Sequence, residues 1–394
     1  MIERLQISHL RNLTQVQLAL KSCNVIIGAN GSGKTSLLEA IFLLSRGKSF
    51  RHHQPKRYIE HHQSSVTVFS SLVDGSSLAI QKQLDATTSL RINYSNVYNQ
   101  SALTAKLPTL LIDPSSMEML EQGSTNRRQL LDWLVFHMKP GFHPQWLAYQ
   151  RLLKQRNQLL KQPKPLSKAQ LSELRAWDQG LSNHAALIDH YRQQVFEAWQ
   201  PYFQDIIAKL LPKYAAQLSL SYTAGFDSQL PLDEQLAKRL DQDLKLGYSR
   251  IGSHRADVHV HWHSKSIEKS EDNEAPTVTT ETKIIKEQAA NVLSRGEKKL
   301  LITALKLSQL PLLTQNPVKA TEPSAVPMVL IDDITAELDD RAIHILLDTL
   351  SKLPCQLFIT SLSDEILPLI KKYCSEPKLF HVKHGQVSDF SLDS

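Results

Sequence analysis

Eight consecutive residues, Gly28-Ala29-Asn30-Gly31-Ser32-Gly33-Lys34-Thr35, fit the phosphate-loop pattern in full. Glycines let the backbone curl until its N–H groups face a β-phosphate, at the positive end of a helix dipole. Lys34 would reach the β- and γ-phosphates, and the Thr35 hydroxyl would ligate Mg²⁺. A buried-strand run, Asn24-Val25-Ile26-Ile27, precedes the loop, and a helical pattern from Lys34 through Leu44 follows it. A nucleotide with Mg²⁺ is therefore the expected ligand. A phosphate loop by itself does not separate kinases, GTPases, motors and transporter-type ATPases.

Three later segments narrow the choice. Val329-Leu330-Ile331-Asp332-Asp333 reads as a buried strand ending in two carboxylates, the Walker B layout. Asp332 would hold Mg²⁺, and Asp333 stands where a carboxylate orients or activates the attacking water, so Asp332, Asp333 and Lys34 are the catalytic candidates. Glu337-Leu338-Asp339 follows in the position of a D-loop. Upstream, Leu293-Ser294-Arg295-Gly296-Glu297 resembles the signature of ABC-type ATPases and precedes a helix of apolar period. Ser294 is its expected N-cap. In ABC-type proteins the signature binds the γ-phosphate of ATP held by the opposite subunit. That resemblance assigns Ser294, Gly296 and Asp339 to a trans role and implies an ATP-dependent homodimer.

These motifs sit at both ends of a 394-residue chain, with roughly 260 residues between phosphate loop and signature. The first part, 1–115, alternates as strands. The middle, 116–249, has helical spacing over Thr125–His137, Pro144–Lys161 and Leu166–Trp199, the last opened by a Ser167 cap and closed by Pro201. Strands resume in 250–394, where 264–290 reads as a polar loop or hairpin insertion and Gln315–Pro327 as a surface loop. The expected fold is α/β: an ABC-type P-loop ATPase head of mixed sheets with helices, built from 1–115 and 250–394, carrying an inserted, mostly helical second lobe.

Composition agrees with a globular chain, at 41% hydrophobic and 21% charged. The longest apolar runs are too short to cross a bilayer, and the N-terminus lacks a signal-peptide layout, so a cytoplasmic protein without a membrane partner is expected. Cys23, Cys355 and Cys374 have no zinc or redox spacing. A net charge of +6 makes a polyanionic partner plausible without showing one.

Along nearly its whole length the chain resembles the RecF family of bacterial recombination-repair ATPases. Leu10-Arg11-Asn12-Leu13, Gly123-Ser124-Thr125-Asn126-Arg127-Arg128-Gln129-Leu130-Leu131-Asp132, Leu153-Lys154-Gln155-Arg156-Asn157, Gly252-Ser253-His254-Arg255-Ala256-Asp257 and Asp332–Asp340 carry the resemblance. Ser253 replaces a usual proline, which predicts a looser turn. The family's Asp333, in place of the glutamate of most ABC ATPases, predicts slow hydrolysis. No switch histidine follows Leu357-Phe358-Ile359; Thr360 or Ser361 occupies that region. The resemblance implies a weak, DNA-stimulated ATPase acting at gaps and stalled forks, with RecO and RecR helping to load RecA and supporting the SOS response. It also places Arg11 and Asn12 near ATP.

For DNA contacts, single- or double-stranded, Arg127, Arg128, Lys154, Arg156 and Lys161 give the helical lobe basic character. Lys298 and Lys299 beside the signature are alternatives. His259, His261 and His263 alternate on one strand face but lack further ligands at metal spacing, so a solvated face is expected. Two rival functions remain: a transporter-type ATPase subunit, opposed by the split head, and a non-catalytic DNA clamp that holds ATP structurally.

Overall fold

The structure is a computed structural model and describes residues 1–121, 123–267, 282–314 and 325–390. The chain divides into two compact units, Met1–Ser116 with Leu313–Ser394, and Met117–Leu312. Residues 250–312, expected with the nucleotide-binding lobe, fall in the helical unit instead. Strand Asp257–Ile267 explains the difference: it pairs antiparallel with Leu218–Thr223, which follows the helical segment directly.

The first unit holds two six-stranded sheets. One is antiparallel, in the order Leu13–Ala19, Ile2–Leu10, Ser65–Leu72, Ser77–Gln83, Thr88–Ile92, Ser95–Val97. Ser65–Leu72 alternates accessible and buried residues strictly, as expected of a sheet with one face on a core. The other sheet runs Gln386–Asp389, Lys378–Lys383, Cys23–Ile27, Gln356–Ser361, Met328–Ile331, Thr109–Ile112, parallel except for the first pair. Its central strands are buried at every residue, the mark of a sheet covered on both faces. The helix Lys34–Arg46 contributes to a core shared by both sheets, and of its residues only Thr35 and Arg46 are part-buried rather than buried.

The second unit is built on the helices Ser124–Met138, Phe142–Leu160 and Lys168–Leu210. Ser167 caps the last through a capping box with Gln170, as expected. The helix does not stop at Pro201, however. Trp199, Phe203, Ile207 and Leu210 are buried on either side of the proline, and that burial outweighs the lost backbone hydrogen bond. Strand Asp257–Ile267 continues into a hairpin with Thr282–Gln288, in register from His261 opposite Gln288 to Ile267 opposite Thr282. The expected 264–290 insertion thus includes these hairpin legs, while 268–281 lie outside the described residues, as do 315–324 of the second expected loop. The turn at Ser253 is not loose. Arg192 donates to the Ser253 carbonyl at 2.8 Å, and Tyr149 Oη lies 2.8 Å from His254 Nδ1.

Candidate nucleotide site

Because four neighbouring strands of the parallel sheet run the same way, their carboxyl ends meet at one edge. Gly28 follows one strand, Thr360 and Ser361 end the next, and Asp332 and Asp113 follow the other two. Open parallel sheets bind ligands at this edge.

The phosphate loop leaves no room for side chains at two points. A Cβ on Gly28 would lie 2.4 Å from the Val382 carbonyl oxygen, and Gly33 has φ +122° with Asn12 Nδ2 3.1 Å from its would-be Cβ. Asn12 Nδ2 donates to the Ser32 carbonyl at 2.9 Å, and the Gly385 N–H donates to the same oxygen at 2.8 Å. Asn12 therefore acts on the loop backbone. Lys34 Nζ folds back to donate to the Gly28 and Ala29 carbonyls at 2.6 and 3.0 Å. Burial lowers the pKa of Lys34, partly offset by Asp333 and Asp332.

Thr35 and Asp332 come together from positions almost 300 residues apart. Thr35 Oγ1 donates to the Asp332 carboxylate, with its oxygens 2.9 and 3.1 Å away. Thr360, a residue with no role assigned from sequence, is fully buried beneath them. Its Oγ1 lies 2.9 Å from Asp332 Oδ1 and accepts the Asp333 N–H at 2.7 Å. Burial raises the pKa of Asp332, opposed by the hydrogen bonds from Thr360 and Thr35 and reinforced by Asp113 and Asp333. Asp333 is held in the left-handed region at φ +51°, a strained setting of the kind found at functional sites. Among the described residues, its Oδ1 and the Ser32 Oγ are buried without a hydrogen-bond partner.

This donor set suits Mg²⁺. A hydroxyl and a carboxylate are hard oxygen ligands, and the ion completes its shell with waters and substrate phosphate oxygens. A divalent cation would also relieve the desolvation that disfavours ionised Asp332. Ala29, Asn30, Gly31 and Ser32 form the rest of the loop ahead of Thr35.

Arg11 has a different setting from Asn12. It occupies a two-residue hairpin turn at φ +54° and pairs through Nε and Nη2 with the fully buried Glu39 of the helix after the phosphate loop. Ser49 donates to the same carboxylate. Arg11 thereby ties the turn carrying Asn12 to that helix. Glu39 and Ser49 were not legible as site residues, since a single glutamate in a helical run reads as solvated.

The signature segment lies in the second unit. Ser294 caps the helix Arg295–Leu307, and Glu297 returns the bond to the Ser294 N–H at 2.8 Å. Ser294, Arg295 and Gly296 are exposed. A Cβ on Gly296 would meet nothing within 4 Å, so no packing inside the chain requires glycine there. Asp339 caps the helix Asp340–Ser351 by accepting the Ala342 N–H at 2.8 Å.

The expected DNA contacts need correction. Arg156 is fully buried, donating to Asp178 at 2.6 Å and to Asp243 at 2.8 Å. It cannot reach a phosphate. Arg127 is paired with Asp257 through both Nε and Nη2, leaving its side chain 12% exposed. Arg128 is half-buried and donates to the Ala256 carbonyl at 3.0 Å. Both arginines brace the strand that opens at Asp257. Lys154 and Lys161 are exposed, while Lys298 pairs with Glu121 at 3.3 Å. His259 and His261 lie opposite Ser221 and Ser219, and the Nε2 atoms of His259, His261 and His263 come within hydrogen-bond reach of the diagonal hydroxyls of Thr223, Ser221 and Ser219.

Comparison with known proteins agrees with this architecture. The family described as "RecF/RecN/SMC N terminal domain" matches residues 1–384. A protein of Acinetobacter baylyi named DNA replication and repair protein RecF is 38% identical over 388 residues, covering 98% of this chain and 99% of that one. A namesake from Acinetobacter baumannii is 39% identical over 392 residues, with 98% of each chain covered. Among solved structures, a recombination mediator protein RecF with ATP superposes with TM-score 0.78 at 23% identity, over 99% of both chains. An Smc head bound to the C-terminal winged-helix domain of ScpA gives TM-score 0.54 at 15% identity, covering 100% of this chain and 98% of that one. The mixed sheets with helices are those of an ABC-type ATPase head, and the chain belongs to the RecF family.

Proposed function

We propose that this protein is an ATP-dependent DNA-binding protein of recombinational gap repair and replication-fork maintenance, switched by ATP-gated homodimerisation. The observation that carries the reading is the Thr35–Asp332–Thr360 constellation beside the phosphate loop, which joins the two ends of the chain into one nucleotide site. Names of the relatives support the setting: DNA replication and repair for the curated proteins, and a RecFOR pathway for the solved one. In that setting RecO and RecR are partners, RecA loading on single-stranded DNA is the outcome, and the SOS response depends on it. The site of action is the cytoplasm. No helix among the described residues is long and apolar enough to cross a membrane.

The residues divide the work as follows. Backbone N–H groups of the phosphate loop and Lys34 bind the phosphates, and Lys34 exchanges its carbonyl partners for them. Mg²⁺ held by Thr35 and Asp332 would neutralise charge on the β- and γ-phosphates. Asp333, with one carboxylate oxygen unpartnered, orients the water that attacks the γ-phosphorus as ADP leaves. A second copy supplies Ser294 and Gly296 to the γ-phosphate and Asp339 near the interface. Gly296 has no internal reason to be glycine, as expected where a ligand from outside approaches the backbone.

The test combines steady-state ATP hydrolysis with anisotropy on gapped DNA, for the parent and Asp333→Asn. Slow turnover stimulated by DNA, abolished in the variant together with release from DNA, supports the switch. Turnover and release both unchanged would instead favour a clamp that uses ATP only to hold its structure.

A further inference from the structure

At the end of the Lys34–Arg46 helix away from the phosphate loop, the first unit contains a cleft of about 620 Å³. Thirteen residues at a 1.5 Å rise place it roughly 20 Å along the helix from the nucleotide loop, so it is a separate site. Four cationic side chains line it, Arg46, Lys48, Lys82 and Arg91, and none of its lining residues is acidic. Arg46 and Lys48 follow an ordinary rule, since cations favour helix C-termini. Lys82 and Arg91 do not. They come from neighbouring strands of the antiparallel sheet and add positive charge where two cations already stand.

Crowding Lys48, Lys82 and Arg91 into one cleft is unfavourable unless an anion joins them. Burial lowers the pKa of Arg46, to about 10, and that of Lys82. Tyr98, also lining the cleft, is 98% exposed, so its ring serves no packing purpose in the chain. Asn96 beside it adds a polar side chain and accepts from Arg91 Nε at 3.3 Å. Clustered cations with an unpacked aromatic ring form the combination that holds single-stranded nucleic acid, through phosphate contacts and base stacking.

Resting on the DNA-binding reading above, we propose that this cleft is a docking site for single-stranded DNA, with Lys82 and Arg91 on the phosphates and Tyr98 stacking an unpaired base. It takes a place that the fully buried Arg156 cannot fill.

The test is fluorescence anisotropy of a labelled oligothymidylate on the full chain, across a salt series, with a fluorescent ATP analogue as a control for folding. The double variant Lys82→Glu/Arg91→Glu should bind the strand at least tenfold more weakly, with the salt slope reduced by about 2, while still binding the analogue. Tyr98→Ala should weaken binding about tenfold and leave the salt slope unchanged. If the parent binds the strand and both variants match it in affinity and slope, the cleft is not the docking site and the functional reading stands. Displacement of the strand by inorganic triphosphate at equal phosphate concentration would overturn the proposal in favour of a small-anion site. A parent that binds no nucleic acid under any condition would overturn the functional reading itself.

Discussion

Thr360 Oγ1 sits 2.9 Å from Asp332 Oδ1 while accepting the Asp333 N–H at 2.7 Å, so one hydroxyl on a buried strand fixes both carboxylate residues of the nucleotide site. Thr360→Val should orphan a backbone N–H and remove a bond to Asp332. The expected cost is about 1–3 kcal/mol of stability. Mg²⁺-dependent nucleotide affinity should fall by ~10-fold or more, as when an outer-shell partner of a metal ligand is lost. Thr360→Ser should retain most of both. Thermal melts and titration with a fluorescent nucleotide check the pair, and equal behaviour of the two variants would contradict this role.

Burial raises the pKa of Asp332. Its ionisation therefore opposes folding. The penalty is absent below the usual carboxylate range, grows as pH rises from there toward the raised folded value, and is complete above it. Without added nucleotide, Asp332→Asn should raise Tm at neutral pH. The same variant should lose the further stabilisation that Mg²⁺ with ATP gives the parent. Melting curves in all four combinations test both halves.

His254 carries the opposite sign. Burial lowers its pKa to about 4, with Tyr149 Oη 2.8 Å from Nδ1 and the Ser249 carbonyl 3.1 Å from Nε2. The neutral ring has Nε2–H donating to Ser249 and Nδ1 accepting from Tyr149. Its contribution is fully present above the unfolded value near 6.5 and is lost as pH falls toward 4. Urea denaturation at pH 7.5 and 5.0 should show a loss for which His254 accounts for up to roughly 2 kcal/mol. His254→Gln should flatten that pH dependence.

Arg156, once a candidate for DNA, should behave as a core residue. Arg156→Met leaves Asp178 and Asp243 without their cation, a loss of about 3–5 kcal/mol. Lys154→Glu, two residues away on the exposed face, should change stability by less than about 0.5 kcal/mol. Chemical denaturation of both separates burial from surface charge.

These cases show what sequence can and cannot reveal. Phosphate loop and Walker B strand were legible because each packs its chemistry into a few consecutive residues with fixed backbone demands. Arg156 was misread because its partners lie 22 and 87 positions away, and a basic helix residue looks the same whether it faces water or a buried aspartate. Thr360 was not legible for a similar reason, although it stands at the strand end where a switch histidine was expected. The unit boundary was missed because strand Asp257–Ile267 pairs backward to Leu218–Thr223, a long-range choice that local alternation does not encode. Pro201 misled because a strong apolar face carried the helix across it.

The central claim is that ATP closes two copies of the chain through the exposed signature residues. Molar mass by light scattering on a sizing column, with ATP and Mg²⁺, with ADP, and for Ser294→Arg with ATP, tests it most directly. The parent should be a dimer only in ATP, and the variant a monomer although it still binds ATP. A parent that binds ATP yet stays monomeric, or a variant that dimerises as well as the parent, would contradict it.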